Sequence, residues 1–176
     1  MITGKNIILT AVEKEHLAQL MHWRNLPDFR QYFREYRELN MEDQLNWFEN
    51  VVVKDRNTIM FSILDKTSST LIGCCGLCYI NWVHRYAELS FYIGCDEVYI
   101  DNKYAPDVCK TILDYGFNQL GLNKIWTEIY DFDAPKKELL VDELGFKIDG
   151  ALRQNYFYNG KWNDSLILSL LCNELK

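Results

Sequence analysis

The segment Tyr86-Ala87-Glu88-Leu89-Ser90-Phe91-Tyr92-Ile93-Gly94 alternates with the period of a β-strand. Ala87, Leu89, Phe91 and Ile93 fall on one face, and Glu88, Ser90 and Tyr92 on the other. A lone carboxylate on the milder face of such a strand makes Glu88 the first candidate for chemistry, open to proton transfer or to ion pairing. Other constellations do not assemble. No Ser-His-Asp set and no glycosidase pair of carboxylates stands out. Cys75-Gly76-Leu77-Cys78 is half of a zinc pattern, but no second Cys or His pair follows at ligand spacing, so no metal is expected. The six cysteines, at 74, 75, 78, 95, 109 and 172, read as reduced thiols of a cytoplasmic protein.

The elements that must hold Glu88 in place follow from periodicity and capping. Residues 7–10 read as a first short strand, and Thr10 with Glu13 has capping-box spacing for a helix reaching Trp23. Pro27 opens a second short helix through Phe33, and Asn40 caps a third, with Leu45, Trp47, Phe48 and Val52 on its apolar side. Residues 58–64 and 71–80 are strands joined by a turn over 65–69. After a loop over 95–105, Pro106 starts a helix. Its Asp107, Lys110, Thr111, Asp114 and Asn118 form a polar arc opposite Val108, Ile112 and Tyr115. Residues 124–130 are a strand and 135–144 a helix ended by Gly145. From Phe146 two long strands meet near Asn159-Gly160, a hairpin dipeptide. This order gives an α/β (α+β) class, a mixed sheet with helices covering its faces.

At 176 residues and 20.9 kDa, the chain suits one domain, 1–176, with its own core. Hydrophobic residues at 48% and charged residues at 25% exclude wholesale disorder. No apolar run approaches the roughly 18 to 20 residues of a membrane helix. The N-terminus lacks the apolar stretch of a signal peptide, so neither export nor a membrane is expected. Lys and Arg number 19 against 25 Asp and Glu, a net −6 that argues against nucleic acid as a partner.

Five features in order carry a family resemblance. They are Trp23-Arg24-Asn25 with Pro27 and Arg30; the strand from Ala87 to Gly94; Leu113-Asp114-Tyr115-Gly116-Phe117 with Leu120, Leu122 and Lys124-Ile125; Glu143-Leu144-Gly145-Phe146 with Gly150-Ala151-Leu152-Arg153; and Gly160-Lys161-Trp162-Asn163-Asp164. Together they resemble the GNAT superfamily of acyl-CoA-dependent N-acetyltransferases, and within it the bacterial branches acting on ribosomal proteins, aminoglycosides or nucleotide-linked amino sugars. The resemblance implies a GNAT-like, mostly antiparallel central sheet of about seven strands with helices on both faces. It also implies transfer of an acetyl group from acetyl-CoA to a primary amine: an amino sugar on a nucleotide carrier, a protein N-terminus or a small amine. Glu88 would be the general base for direct attack, and the backbone of Phe91, Tyr92 and Ile93 would hold the pantetheine arm. The diphosphate would lie on Ile100, Asp101, Asn102, Lys103, Tyr104 and Ala105, and the acceptor near Arg24, Arg30, Tyr32 and His84.

The departures from the family pattern matter as much. Lys103 stands where the phosphate loop carries Gly, and Asp101 adds a like charge beside the ligand. Val141 stands where many members have a Tyr that protonates the leaving thiolate, and Ala134 where an Asn is common. Tyr130 is expected to serve as the acid instead, with a plain packing role as the competing reading. Glu88 is either the base or a carboxylate paired with Arg85 or Lys124, and His84 either lines the acceptor site or is an exposed loop residue. The altered loop and Val141 also leave an alternative, a catalytically lapsed module with weak or no CoA binding. Tyr156, Phe157, Tyr158 and Trp162 offer a homodimer contact.

Overall fold

The structure, a computed structural model, describes residues 1–175. Strands β1 (Ile2–Thr3), β2 (Ile7–Ala11), β3 (Ile59–Asp65), β4 (Leu71–Asn81) and β5 (Tyr86–Ile93) pair antiparallel, each with the next. Strand β6 (Lys124–Tyr130) joins β5 in parallel. Strands β7 (Lys147–Tyr158) and β8 (Lys161–Leu171) form a hairpin, with β8 against β6 and β7 at the edge. The sheet thus has eight strands rather than about seven, because Ile2–Thr3 adds a short edge to β2. The hairpin turns at Asn159 and Gly160, whose φ values of 50° and 76° suit a tight turn of matching twist.

Helices α1 (Leu17–Asn25), α2 (Pro27–Arg30) and α3 (Met41–Trp47) lie on one face, and α4 (Ala105–Asp114) and α5 (Ala134–Lys137) serve the other. The alternation of β4 and β5 sorts their side chains between the two cores. Cys74 and Tyr92 pack with Leu20, Trp23 and Phe29, whereas Cys75, Leu89 and Phe91 pack with Val108 and Ile112. Three local expectations shift. Strand β2 runs on to Ala11, and the capping box belongs to Glu13, whose backbone N–H donates to His16 Nδ1 at 3.1 Å. Helix α2 stops at Arg30, and single turns closed by Tyr32 and Phe33 N–H groups follow. Thr111 is buried rather than on a polar arc, its hydroxyl satisfied by the Asp107 carbonyl at 2.7 Å. No helix among the described residues is long and apolar enough to cross a membrane.

The feature that matters for function lies between β5 and β6. They pair only at Tyr86↔Lys124, Ala87↔Ile125 and Glu88↔Trp126, although β5 runs on to Ile93 and β6 to Tyr130. Beyond Glu88 each strand follows its outer partner. Strand β6 stays paired with β8 up to Tyr130↔Ser165, and β5 with β4 up to Ile93↔Gly73. A Cβ at Gly73 would meet the Tyr92 carbonyl at 2.3 Å, so only glycine keeps β4 and β5 zipped where β6 departs. Opposing pulls from two well-paired neighbours open a slot in the middle of the sheet.

Candidate active site

Alternate residues of an antiparallel strand turn their amide groups toward the partner, and the others turn away. Gly94 N–H donates to Ile72 O on β4, while Arg85 O accepts from Asn123 and Lys124 on the opposite side. The odd-numbered residues of β5 therefore face the slot. Past the last paired residue, the Leu89 carbonyl and both backbone groups of Phe91 turn into it. The backbone of Tyr92 is directed at β4, and Ile93 N–H donates to Tyr99 O at 3.0 Å. Of the three residues expected along the pantetheine arm, Phe91 alone keeps both groups free, because the sequence gives side-chain faces but not which strand edge is taken.

On the Glu88 face the slot meets a cavity of about 560 Å³, lined by residues that include Arg24, Tyr32, Arg34, Glu88, Glu128 and Tyr130. Glu88 is buried, at 6% exposure. Two guanidinium nitrogens of Arg34 donate to its carboxylate at 2.5 and 3.1 Å. The same guanidinium donates to Glu128 Oε2 at 2.8 and 3.2 Å. Burial would lower the Arg34 pKa, but the bonds and charge of Glu88, then Glu128, outweigh it and raise it. The partners expected from neighbouring strands are engaged elsewhere: Arg85 donates to Gly121 O at 3.2 Å, and Lys124 pairs with Asp149 at 2.6 Å. Both Glu88 oxygens are occupied by Arg34, whose side chain is 48% exposed, and they meet another ligand only when it moves aside.

Tyr130 lines the cavity and stacks on Tyr156 at 3.7 Å; burial, then the neighbouring Tyr156 and Glu128, pushes its hydroxyl pKa up. Tyr32 stacks on Tyr99 at 4.3 Å along the same wall. Arg24 lies 4.6 Å over the Phe33 ring, and its Nε is buried without a partner among the described residues. The other two acceptor candidates stand outside the cavity. Arg30 donates to the Tyr36 carbonyl at 2.8 Å, and His84 is exposed in the β4–β5 turn.

The 100–105 loop holds an anion of its own. The Asp101 carboxylate accepts the backbone N–H groups of Lys103 at 3.2 Å, Tyr104 at 3.0 Å and Ala105 at 2.8 Å. Lys103 is turned to the Tyr104 hydroxyl at 2.6 Å and lies 3.9 Å from Asp65. A smaller cavity of about 180 Å³ runs beside Ile100, Asn102 and Pro106, with Glu138 and Glu143 adding negative charge. The free Phe91 edge of the slot is thus open to an extended polar ligand, whereas the donors of this loop are already taken by its own carboxylate.

Arg34, Glu128 and Lys136 escape a reading of the sequence for different reasons. Glu128 shares the alternation of Trp126 and Tyr130 on β6, which does place it on the face of Tyr130. Arg34 sits in an irregular stretch with no period to orient it, and Lys136 is one of two adjacent lysines in a short helix.

A parted mixed sheet with a carboxylate over the gap and a free strand edge within it defines a class that binds an acyl carrier in the sheet and an acceptor above it. A family model described as Acetyltransferase (GNAT) domain matches residues 9–167, and the chain belongs to that family. It is 28% identical over 161 residues to the spermidine N(1)-acetyltransferase of Vibrio cholerae, covering 92% of this chain and 90% of that protein. A 94-residue match to the Escherichia coli spermidine N(1)-acetyltransferase is 33% identical and spans 53% of this chain and 49% of that one. Among solved structures, the Vibrio cholerae spermidine N-acetyltransferase in complex with CoA and spermine superimposes with a TM-score of 0.85 at 26% identity, over 96% of this chain and 97% of that one. The chain is an acyltransferase that moves an acetyl group to an amine.

Proposed function

We propose that the enzyme acetylates a small polycationic amine by direct attack, with Glu88 as general base. The observation that carries this is the Glu88–Arg34–Glu128 group over the slot, in which two carboxylates already hold one cation. An acceptor ammonium replaces Arg34 charge for charge, and the anionic part of a nucleotide carrier would be disfavoured beside the same two carboxylates. Asp55 lines the same cavity and suits a further ammonium group of such a substrate, while Glu35, also on the wall, is held by Arg37 at 2.8 and 2.9 Å. The relatives named for spermidine support the same acceptor class over an amino sugar or a protein N-terminus.

A free alkyl ammonium ionises near 10, so the nitrogen must lose a proton before it attacks. Glu88, released from Arg34, accepts that proton, and Glu128 keeps the guanidinium nearby. Acetyl-CoA, when bound, supplies the activated acyl group. Phe91 and the Leu89 carbonyl would hold its pantetheine amides, and the 100–105 backbone its diphosphate once Asp101 yields its N–H donors. The chain is read as one catalytic domain in a reducing compartment, the cytoplasm, a placement that the six free cysteines support. The exposed Ile148, Leu152, Phe157 and Trp162 of the edge hairpin are assigned to contacts with further copies of the chain.

Thiol release from acetyl-CoA over a panel of polyamines, amino sugars and peptides tests the reading. Glu88→Gln is expected to lower kcat by about 10²- to 10³-fold with polyamines. A variant with wild-type rate at every pH removes Glu88 as base, and no turnover of any polyamine removes the acceptor class.

A further inference from the structure

The Lys136 ammonium is held by ring faces and nearby charge rather than by a hydrogen bond. The residue is 8% exposed, yet only its backbone N–H bonds to Asp133, at 3.2 Å, and among the described residues its ammonium makes neither hydrogen bond nor ion pair. Nζ lies 4.8 Å from the centre of the Phe91 ring and 5.1 Å from that of Tyr99, and the side chain lines the cavity shared with Glu88 and Tyr130. An ammonium in a cavity with no hydrogen-bonded carboxylate is costly, and apolar residues of the same volume would be better tolerated there. The cost is understandable if the charge faces something absent from the free enzyme. Phe91 is the residue whose backbone edge is free in the slot, and it lines the same cavity as Lys136, whose Nζ rests over its ring on the expected side of the thioester arm.

We propose that Lys136 is the catalytic acid that protonates the leaving CoA thiolate, the task for which Val141 has no group. This rests on the acetyltransferase reading above. As the acceptor nitrogen forms the new N–C bond, the C–S bond breaks and sulfur takes its electron pair. Lys136 Nζ gives a proton to that sulfur and is left neutral, while the second proton of the nitrogen goes to Glu88, which has already passed the first, taken before attack, to solvent. Transfer of that second proton from Glu88 to Lys136 through cavity water restores both groups.

A proton donor works best when its pKa is near that of the group it serves, here a thiol near 8.5. Burial lowers the Lys136 pKa toward that range and raises that of Tyr130 away from it. The charges facing Lys136 are Asp133 on its own helix, Glu88 on β5, Arg34 after α2, and the Cys109 thiol on α4. Asp133 and Glu88 favour the ammonium, and Arg34 opposes it. The alkaline limb of kcat is therefore expected below the ordinary lysine range, with activity lost as pH rises through it.

Lys136→Met and Lys136→Gln test this. Methionine is expected to keep or raise the melting temperature while kcat falls by about 10²-fold and the alkaline limb disappears. Thiolate absorbance of CoA titrated in the complex gives a readout without turnover. Wild type is expected to ionise the bound thiol about one pH unit below the free one, and neither variant to do so. Folded variants that bind CoA by calorimetry yet keep the wild-type pH profile and thiol ionisation overturn the role of Lys136 alone. Failure of the wild type to bind CoA at millimolar concentration overturns the acetyltransferase reading, and this role with it.

Discussion

At the acceptor end of the slot, Arg34 lies between Glu88 and Glu128; at the phosphate end, Asp101 gathers the N–H groups of Lys103, Tyr104 and Ala105. Each side chain imitates the charge of a ligand, a guanidinium for an ammonium and a carboxylate for a phosphate. They differ in reach. Asp101 bonds donors two to four residues ahead, so it is set by local loop geometry and returns to its place whenever the ligand leaves. Arg34 reaches Glu88 across 54 residues, from a stretch without regular structure, so its place depends on how that stretch is laid over β5. Under the proposed function, the first contact would act as an affinity penalty on the carrier, and the second as a gate that an acceptor cation opens.

Breaking the long-range contact gives the largest effect. Arg34→Met is expected to lower the acceptor KM about tenfold, equivalent to about 1.4 kcal/mol. Because Glu88 is left buried without its partner, the variant should lose about 1 to 2 kcal/mol in urea unfolding, discounted for the half-exposed arginine. A higher KM would show that Arg34 binds with the acceptor rather than against it. Asp101→Asn comes next, since it keeps a capping oxygen and removes only the charge. CoA is expected to bind about three- to fivefold tighter by calorimetry. An unchanged Kd would mean that the diphosphate lies away from this loop and would strengthen the case for a module that binds the carrier poorly. The smallest effect distinguishes the two ends by their thiols. Burial pushes Cys78, at the acceptor end, up to about 12, and Cys95, near Asp101, up to about 11. Alkylation at pH 8 followed by mass mapping should modify exposed Cys172 first, then Cys95, then Cys78. Reaction of Cys78 ahead of Cys95 would mean that the acceptor end opens more freely than its ion pairs suggest.

Much of the scaffold is legible in residue patterning. The faces of β5 follow from its alternation, the final hairpin from Asn159-Gly160, and the α3 cap from Asn40, whose side chain accepts from Asp43 N–H at 3.0 Å. The site is legible only where it lies on a regular element. Glu88 is placed by the strand, but its partner is not, because Arg34 belongs to no period and meets Glu88 only after the chain folds over β5. Arg30 and His84 are near the cavity in sequence and outside it in space, since α2 ends early and the β4–β5 turn lies at the far end of the strand.

The sequence by itself determined the secondary elements, the two-sided central strand and the family segments, because these depend on local period, caps and turn residues. The parting of β5 from β6, the sharing of one guanidinium between two carboxylates, and the placing of the Lys136 ammonium over Phe91 and Tyr99 were decided by tertiary structure alone. Each depends on which strand edges and charges are brought together from distant parts of the chain, and no local pattern encodes a strand's second neighbour.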